Sequence, residues 1–193
     1  MQSILNSQTL TQAIWPERSN HLLREIFFII AGSMALTISA KISIPALPVP
    51  FTLQTLVVLL IGFTYGPKLA SFTIGLYLFQ GAMGLPVFQG AVAGLAYIAG
   101  PTGGYLIGFF FAALLCGKLA QMGWDKRFST MAVGMILGNL VIYAFGLVWL
   151  GSVIGWDKPI FQLGMLPFLA GDAIKIAIAV GLVPTIWKKV NQK

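Results

Sequence analysis

An all-α membrane protein, a compact bundle of six transmembrane helices, is the fold class this sequence predicts, and three observations carry it. The 193 residues are 58% hydrophobic and only 9% charged, whereas soluble domains average about 45–50% apolar and about 25% charged. Mean hydropathy is +0.88. Clusters of Pro and Gly cut the apolar chain into blocks, because Pro lacks the N–H and Gly relaxes backbone sterics. Basic residues collect at alternate block ends. Six spans of about 20 residues use roughly 120 positions. That leaves short loops and no room for a soluble catalytic domain.

The elements follow in order. Residues 1–21 lack a basic start, an apolar core and a small-residue cleavage site, so they read as a cytoplasmic tail and not as a signal peptide. Leu10, Ile14 and Trp15 allow this tail to lie in the membrane interface; a disordered tail fits equally well. The transmembrane domain covers 22–187. Its first span runs from Leu22 to Ile44 and stops at Pro45. The second runs from Thr52 to Tyr65 and ends at Gly66-Pro67. The third runs from Lys68 to Met83 and ends at Gly84-Leu85-Pro86. The fourth runs from Gly103 to Met122, after the turn Gly100-Pro101-Thr102-Gly103-Gly104. The fifth runs from Phe128 to Leu150, ended by Gly151, and the sixth from Gly164 to Trp187. Residues 188–193 form a short basic tail. Spans two and three are short for a bilayer of about 30 Å.

Charge sets the expected orientation. With both termini cytoplasmic, the inner side holds Arg18, Arg24, Lys68, Lys118, Lys126, Arg127, Lys188, Lys189 and Lys193, and the outer side Lys41 and Lys158. The positive-inside rule favours that arrangement, and an even number of spans agrees with it. Trp15, Trp124 and Trp187 then fall near the inner interface, with Trp149 and Trp156 near the outer one, as aromatic belts require.

Several function classes drop out. The basic charge is scattered between apolar blocks without interleaved aromatics, so the lipid bilayer and not nucleic acid is the expected partner. There is no GxxxxGK[ST] loop and no HExxH, and His21 is the only histidine. With one Cys (Cys116, read as a small packing residue) no metal site or disulfide is expected.

The candidate functional residues are polar groups in apolar blocks. Asp172 and Lys175 are three apart, hence on one face of the last helix. Charges at membrane depth cost several kcal/mol unless paired or hydrated, and they face cavities more often than lipid. An ion pair that only fixes packing is the plainer alternative. Thr52, Gln54, Gln80, Gln89, Asn139 and Tyr143 lie in or beside apolar blocks, and each must find a partner. Interhelical hydrogen bonding explains any one of them. Together with one acid and one base they point to a polar pocket for a small hydrogen-bonding solute. Thr102 and Tyr105 flank the turn that opens the fourth span, where backbone N–H groups can meet a ligand. Ala31 and Ala35, four apart, allow close helix approach, within the bundle or with a partner.

Leu47-Pro48-Val49-Pro50-Phe51-Thr52-Leu53-Gln54-Thr55 resembles the PxTLQT signature of the BioY family, the biotin-binding S components of energy-coupling-factor (ECF) transporters. Gly84-Leu85-Pro86-Val87-Phe88, Gly100-Pro101-Thr102-Gly103-Gly104-Tyr105 and Gly171-Asp172-Ala173-Ile174-Lys175 are similar to further motifs of that family, in the same order. The resemblance spans about residues 22–187. It implies the S-component bundle, biotin bound near the outer face, and no ATPase in the chain. It also implies partners, namely a coupling transmembrane subunit meeting the Ala31 and Ala35 face and two ATPase subunits. Biotin is the implied ligand, with no cofactor. Asp172 would accept from a ureido N–H, and Lys175 would meet the ureido carbonyl or the carboxylate. Asn139, Gln54 and Gln89 would add amide contacts, and Tyr105 and Tyr143 would flank the bicyclic ring. Two alternatives remain: an autonomous biotin facilitator, and an intramembrane enzyme with Asp172 as its acid–base group. The latter lacks a second intramembrane carboxylate or a nucleophile.

Overall fold

The computed structural model describes residues 8–15, 21–190 and 192. The helices are α1 (Leu10–Ile14), α2 (His21–Lys41), α3 (Gln54–Ala82), α4 (Leu95–Ile98), α5 (Gly103–Gln121), α6 (Phe128–Ile154), α7 (Ile160–Gly164) and α8 (Leu169–Val190). Two-residue strands β1 (Ser43–Ile44) and β2 (Phe51–Thr52) pair antiparallel, and 3-10 turns cover Trp124–Lys126 and Leu166–Phe168. Among the described residues, five helical stretches are long and apolar enough to cross a membrane.

The second of these stretches is itself a hairpin. Gly66 has φ 78° and ψ 172°, outside helical geometry, and Pro67 follows it. Gln54 and Tyr77 would stand about 34 Å apart on a straight helix at 1.5 Å per residue. Instead the Gln54 amide donates to the Tyr77 hydroxyl at 2.7 Å. The chain therefore reverses at Gly66, and arms 54–65 and 67–82 are two of six spans. Only glycine takes that φ without strain.

α5 is the central post and packs on both α3 and α6. Its small residues allow this. A Cβ on Gly117 would sit 2.4 Å from the Pro67 nitrogen, and one on Gly104 would sit 2.4 Å from the Phe145 carbonyl oxygen. In lipid such close packing replaces the hydrophobic drive between helices. Cys116 is fully buried in this seam, facing Gly62 and Gly138. α2 lies against α3, with Gly32 under Thr73 and the Ser33 hydroxyl donating to Gln80 Oε1 at 2.5 Å. The outer arc of α2 carries exposed Phe27, Ile30, Met34 and Ile38. Ala35 is exposed and Ala31 half-buried at the margin of that arc.

Several boundaries differ from expectation. α2 ends at Lys41 and not Ile44, because Ser43 and Ile44 pair with β2. Thr52 lies in that strand, not in a helix. α6 continues through Gly151, which packs against Trp156, and stops at Gly155 with φ 97°. The last long helix starts at Leu169, after a 3-10 turn that contains Pro167. In the amino-terminal segment, Leu10 and Thr11 are buried and the Thr11 hydroxyl donates to the Thr64 carbonyl. Residues 8–15 are thus docked to the bundle, with Ile14 and Trp15 exposed.

The two ends of the bundle differ in charge. Arg24, Lys68, Lys118, Lys126, Arg127, Lys188 and Lys189 fall at the end of the α3 reversal, and Lys41 and Lys158 at the other. Arg18 and Lys193 lie outside the described residues. Lys41 Nζ donates to the carbonyls of Phe88 and Gly90 at 2.7 and 2.9 Å, pinning the loop after α3. Trp187 departs from the interfacial role expected of it. It is 3% exposed, and its indole N–H donates to Asp125 Oδ2 within the bundle. Lys126 Nζ stands 4.6 Å over its ring.

Candidate functional site

The end of the bundle away from the α3 reversal contains a small chamber of about 60 Å³, in part open to the outside. Four helical positions and the loops above them build it. The β1–β2 loop contributes Val49 and Pro50. α3 begins there with Gln54 and Thr55, α5 with Tyr105, Leu106 and Phe109, and α6 presents Asn139, Ile142 and Tyr143. α8 supplies Asp172 and Lys175 from its first turns. Overhead, Phe51 and Phe168 pack ring to ring at 4.4 Å, bringing the two loops together.

The stripe of α8 facing inward is Asp172, Lys175, Ala179 and Val183, while Ile174, Ile178 and Leu182 face outward. Helical spacing therefore turns both ionisable groups toward the interior. Asp172 is 5% exposed. Its Oδ1 accepts from Lys175 Nζ at 3.2 Å, and its Oδ2 accepts from the Tyr143 hydroxyl. Lys175 Nζ also donates to Thr55 Oγ1 at 2.8 Å. A chain of four polar groups thus crosses from α6 through α8 to α3. The pair is electrically neutral overall, and both members keep hydrogen-bonding capacity toward the chamber.

The remaining expected residues divide into two groups. Thr52, Gln54, Thr102, Tyr105, Asn139 and Tyr143 all line the chamber with Asp172 and Lys175. The Tyr105 hydroxyl is engaged with the Gly164 carbonyl at 2.8 Å, tying α5 to α7. Asn139 is 7% exposed and has no hydrogen-bond partner among the described residues, so its amide is uncommitted. Gln89 is the exception: it lines a separate outer groove with Gly90, Tyr97 and Thr102, and its amide lies 3.5 Å from Ser43 Oγ. Gly84 and Gly90, both at positive φ, lie on either side of it in the loop. Sequence reasoning passed over Thr55, Tyr97, Phe168, Val49 and Pro50. Thr55 carried a signal, since it stands three residues after Thr52 in the Thr-Leu-Gln-Thr run.

Six helical spans around a partly open chamber, apolar over most of its wall and carrying an acid–base pair, define a membrane protein with a site for a small solute. The comparisons narrow the class: the BioY family profile matches residues 8–192, and the chain belongs to that family. A probable biotin transporter BioY of Pyrococcus horikoshii is 44% identical over 154 residues, 79% of this chain and 90% of that one. The biotin transporter BioY of Thermotoga maritima is 37% identical over 156 residues, 81% and 90% of the two chains. The crystal structure of the S-component for biotin from an ECF-type ABC transporter superposes with TM-score 0.75 and 26% identity, covering 88% of this chain and 94% of that one.

Proposed function

We propose that this protein is the biotin-binding S component of an ECF-type vitamin importer. The observation that carries this reading is the Asp172–Lys175 pair at the wall of the chamber, in a chain of the BioY family. A cyclic urea presents N–H donors beside a carbonyl acceptor. Asp172 and Lys175 present an acceptor beside a donor, at matching adjacency. A ligand carboxylate at that point would face Asp172, so the ring and not the tail belongs there. Asp172 accepts a ureido N–H and Lys175 donates to the ureido oxygen. Asn139 and Gln54 serve the remaining polar edge, and Tyr143 and Tyr105 give apolar faces to the bicycle. A buried polar group left unmatched costs about 1–3 kcal/mol, which selects against solutes lacking the urea.

The chain captures biotin from the outer side, through the end that carries Lys41 and Lys158, and both termini are cytoplasmic. Transport energy comes from separate ATPase subunits through a coupling transmembrane subunit that docks on the Ala31 and Ala35 face of α2. Titration of the detergent-purified chain with biotin, riboflavin and thiamine tests the ligand. Saturable binding of biotin alone is expected. Absence of biotin binding, or equal binding of all three, removes the reading.

A further inference from the structure

Thr55 is the one partner of Lys175 that carries no charge, and its place in the site has a consequence for ligand choice. A lysine ammonium has three donors. Two are taken, by Thr55 Oγ1 at 2.8 Å and Asp172 Oδ1 at 3.2 Å, and no third acceptor meets it among the described residues. The ammonium is tetrahedral, so two bonds of fixed direction set the direction of the third. Those two partners stand on different helices, α3 and α8, and both line the chamber. Asp172 cannot swing to follow the lysine, because its other oxygen is held by Tyr143. With Thr55 removed, a flexible four-carbon stem would be held by one contact, and its donors would exchange by rotation.

We propose that Thr55 is a positioning residue of the ligand site: it holds the Lys175 ammonium so that a single N–H faces the chamber, and thereby sets the preference for a ligand with a carbonyl acceptor. This inference rests on the biotin reading above. A fixed donor rejects a ligand whose acceptor has been replaced by a cationic donor, because both groups then go unpaired. 2-Iminobiotin is such a ligand, with a guanidinium-like group at neutral pH where biotin has its ureido oxygen. A lysine free to rotate away discriminates less.

The test is equilibrium binding of biotin and of 2-iminobiotin to the full chain and to Thr55→Ser and Thr55→Val, each monodisperse in detergent. Thr55→Ala replaces the valine variant should the latter not fold. The valine or alanine variant is expected to bind biotin about tenfold more weakly, the scale of one lost hydrogen bond. Its preference for biotin over 2-iminobiotin should shrink, while Thr55→Ser keeps both affinity and preference. Wild-type affinity in Thr55→Val overturns the assignment. So does equal weakening toward both ligands, the mark of a purely structural role, or a serine variant that behaves like valine. A wild-type chain that binds no biotin overturns the functional reading itself, and this inference with it.

Discussion

Asp172 is a buried and Lys175 a half-buried charge, and their cost is met by each other, by Tyr143 and by Thr55. Removing either one leaves the other uncompensated in a site of low dielectric. Asp172→Asn and Lys175→Ala are each expected to weaken biotin binding by about 2–5 kcal/mol, read by equilibrium titration of folded variants. At the opposite end, Asp125 is a buried carboxylate that ligand binding does not use. Burial pushes its carboxyl up from 3.8 to about 6, against the opposing effects of the Trp187 indole N–H and Lys126. Its Oδ1 is buried without a hydrogen-bond partner among the described residues. A raised folded value favours the protonated fold. The stability it contributes is complete below about pH 4 and lost as pH rises through about 6, up to about 3 kcal/mol. Asp125→Asn should therefore flatten the change in thermal stability between about pH 4 and about pH 7 and raise the melting temperature at neutral pH. Parallel melting curves across that range check this.

At the scale of elements, close helix contact is what holds α5 in place. Its glycines meet backbone rather than side-chain tips, so no rotamer change can relieve an added group. Gly117→Val would drive carbon into the Pro67 backbone at the α3 reversal and is expected to destabilise by about 1–3 kcal/mol or more. Thermal unfolding in detergent measures the loss. Gly75→Ala, where a Cβ meets open space, is the matched control. The punctuation of the helices was legible at Gly66-Pro67, where the chain reverses at positive φ, and at Gly103, where α5 begins. It misled at Gly151, which serves close packing on Trp156 within a continuing helix. Small residues end helices or admit neighbours, and the linear pattern does not separate the two uses.

The whole molecule separates into a chamber at one end, a central packed seam and a basic opposite end. Ala31→Trp with Ala35→Trp adds bulk to a face of α2 distant from the chamber lining, so biotin binding should persist while uptake in cells with the complete transporter stops. Loss of binding would place that face inside the fold. Orientation has its own test: Lys158→Cys should react with a membrane-impermeant maleimide in intact cells, and Lys189→Cys only after permeabilisation. Cys116 is buried and should stay silent in both.

Composition, helix punctuation and charge asymmetry determined by themselves that this chain is a six-span membrane bundle with one deep acid–base pair, because those properties are local or additive along the chain. The quoted motifs carried the family, since their order survives without coordinates. Only the tertiary structure decided what each polar group faces. It brought Thr55, 120 residues away, onto Lys175. It buried Trp187 against Asp125 and left Gln89 outside the chamber. Such pairings depend on how helices rotate against one another, and that rotation follows from the sum of many packing contacts that no short stretch of sequence contains.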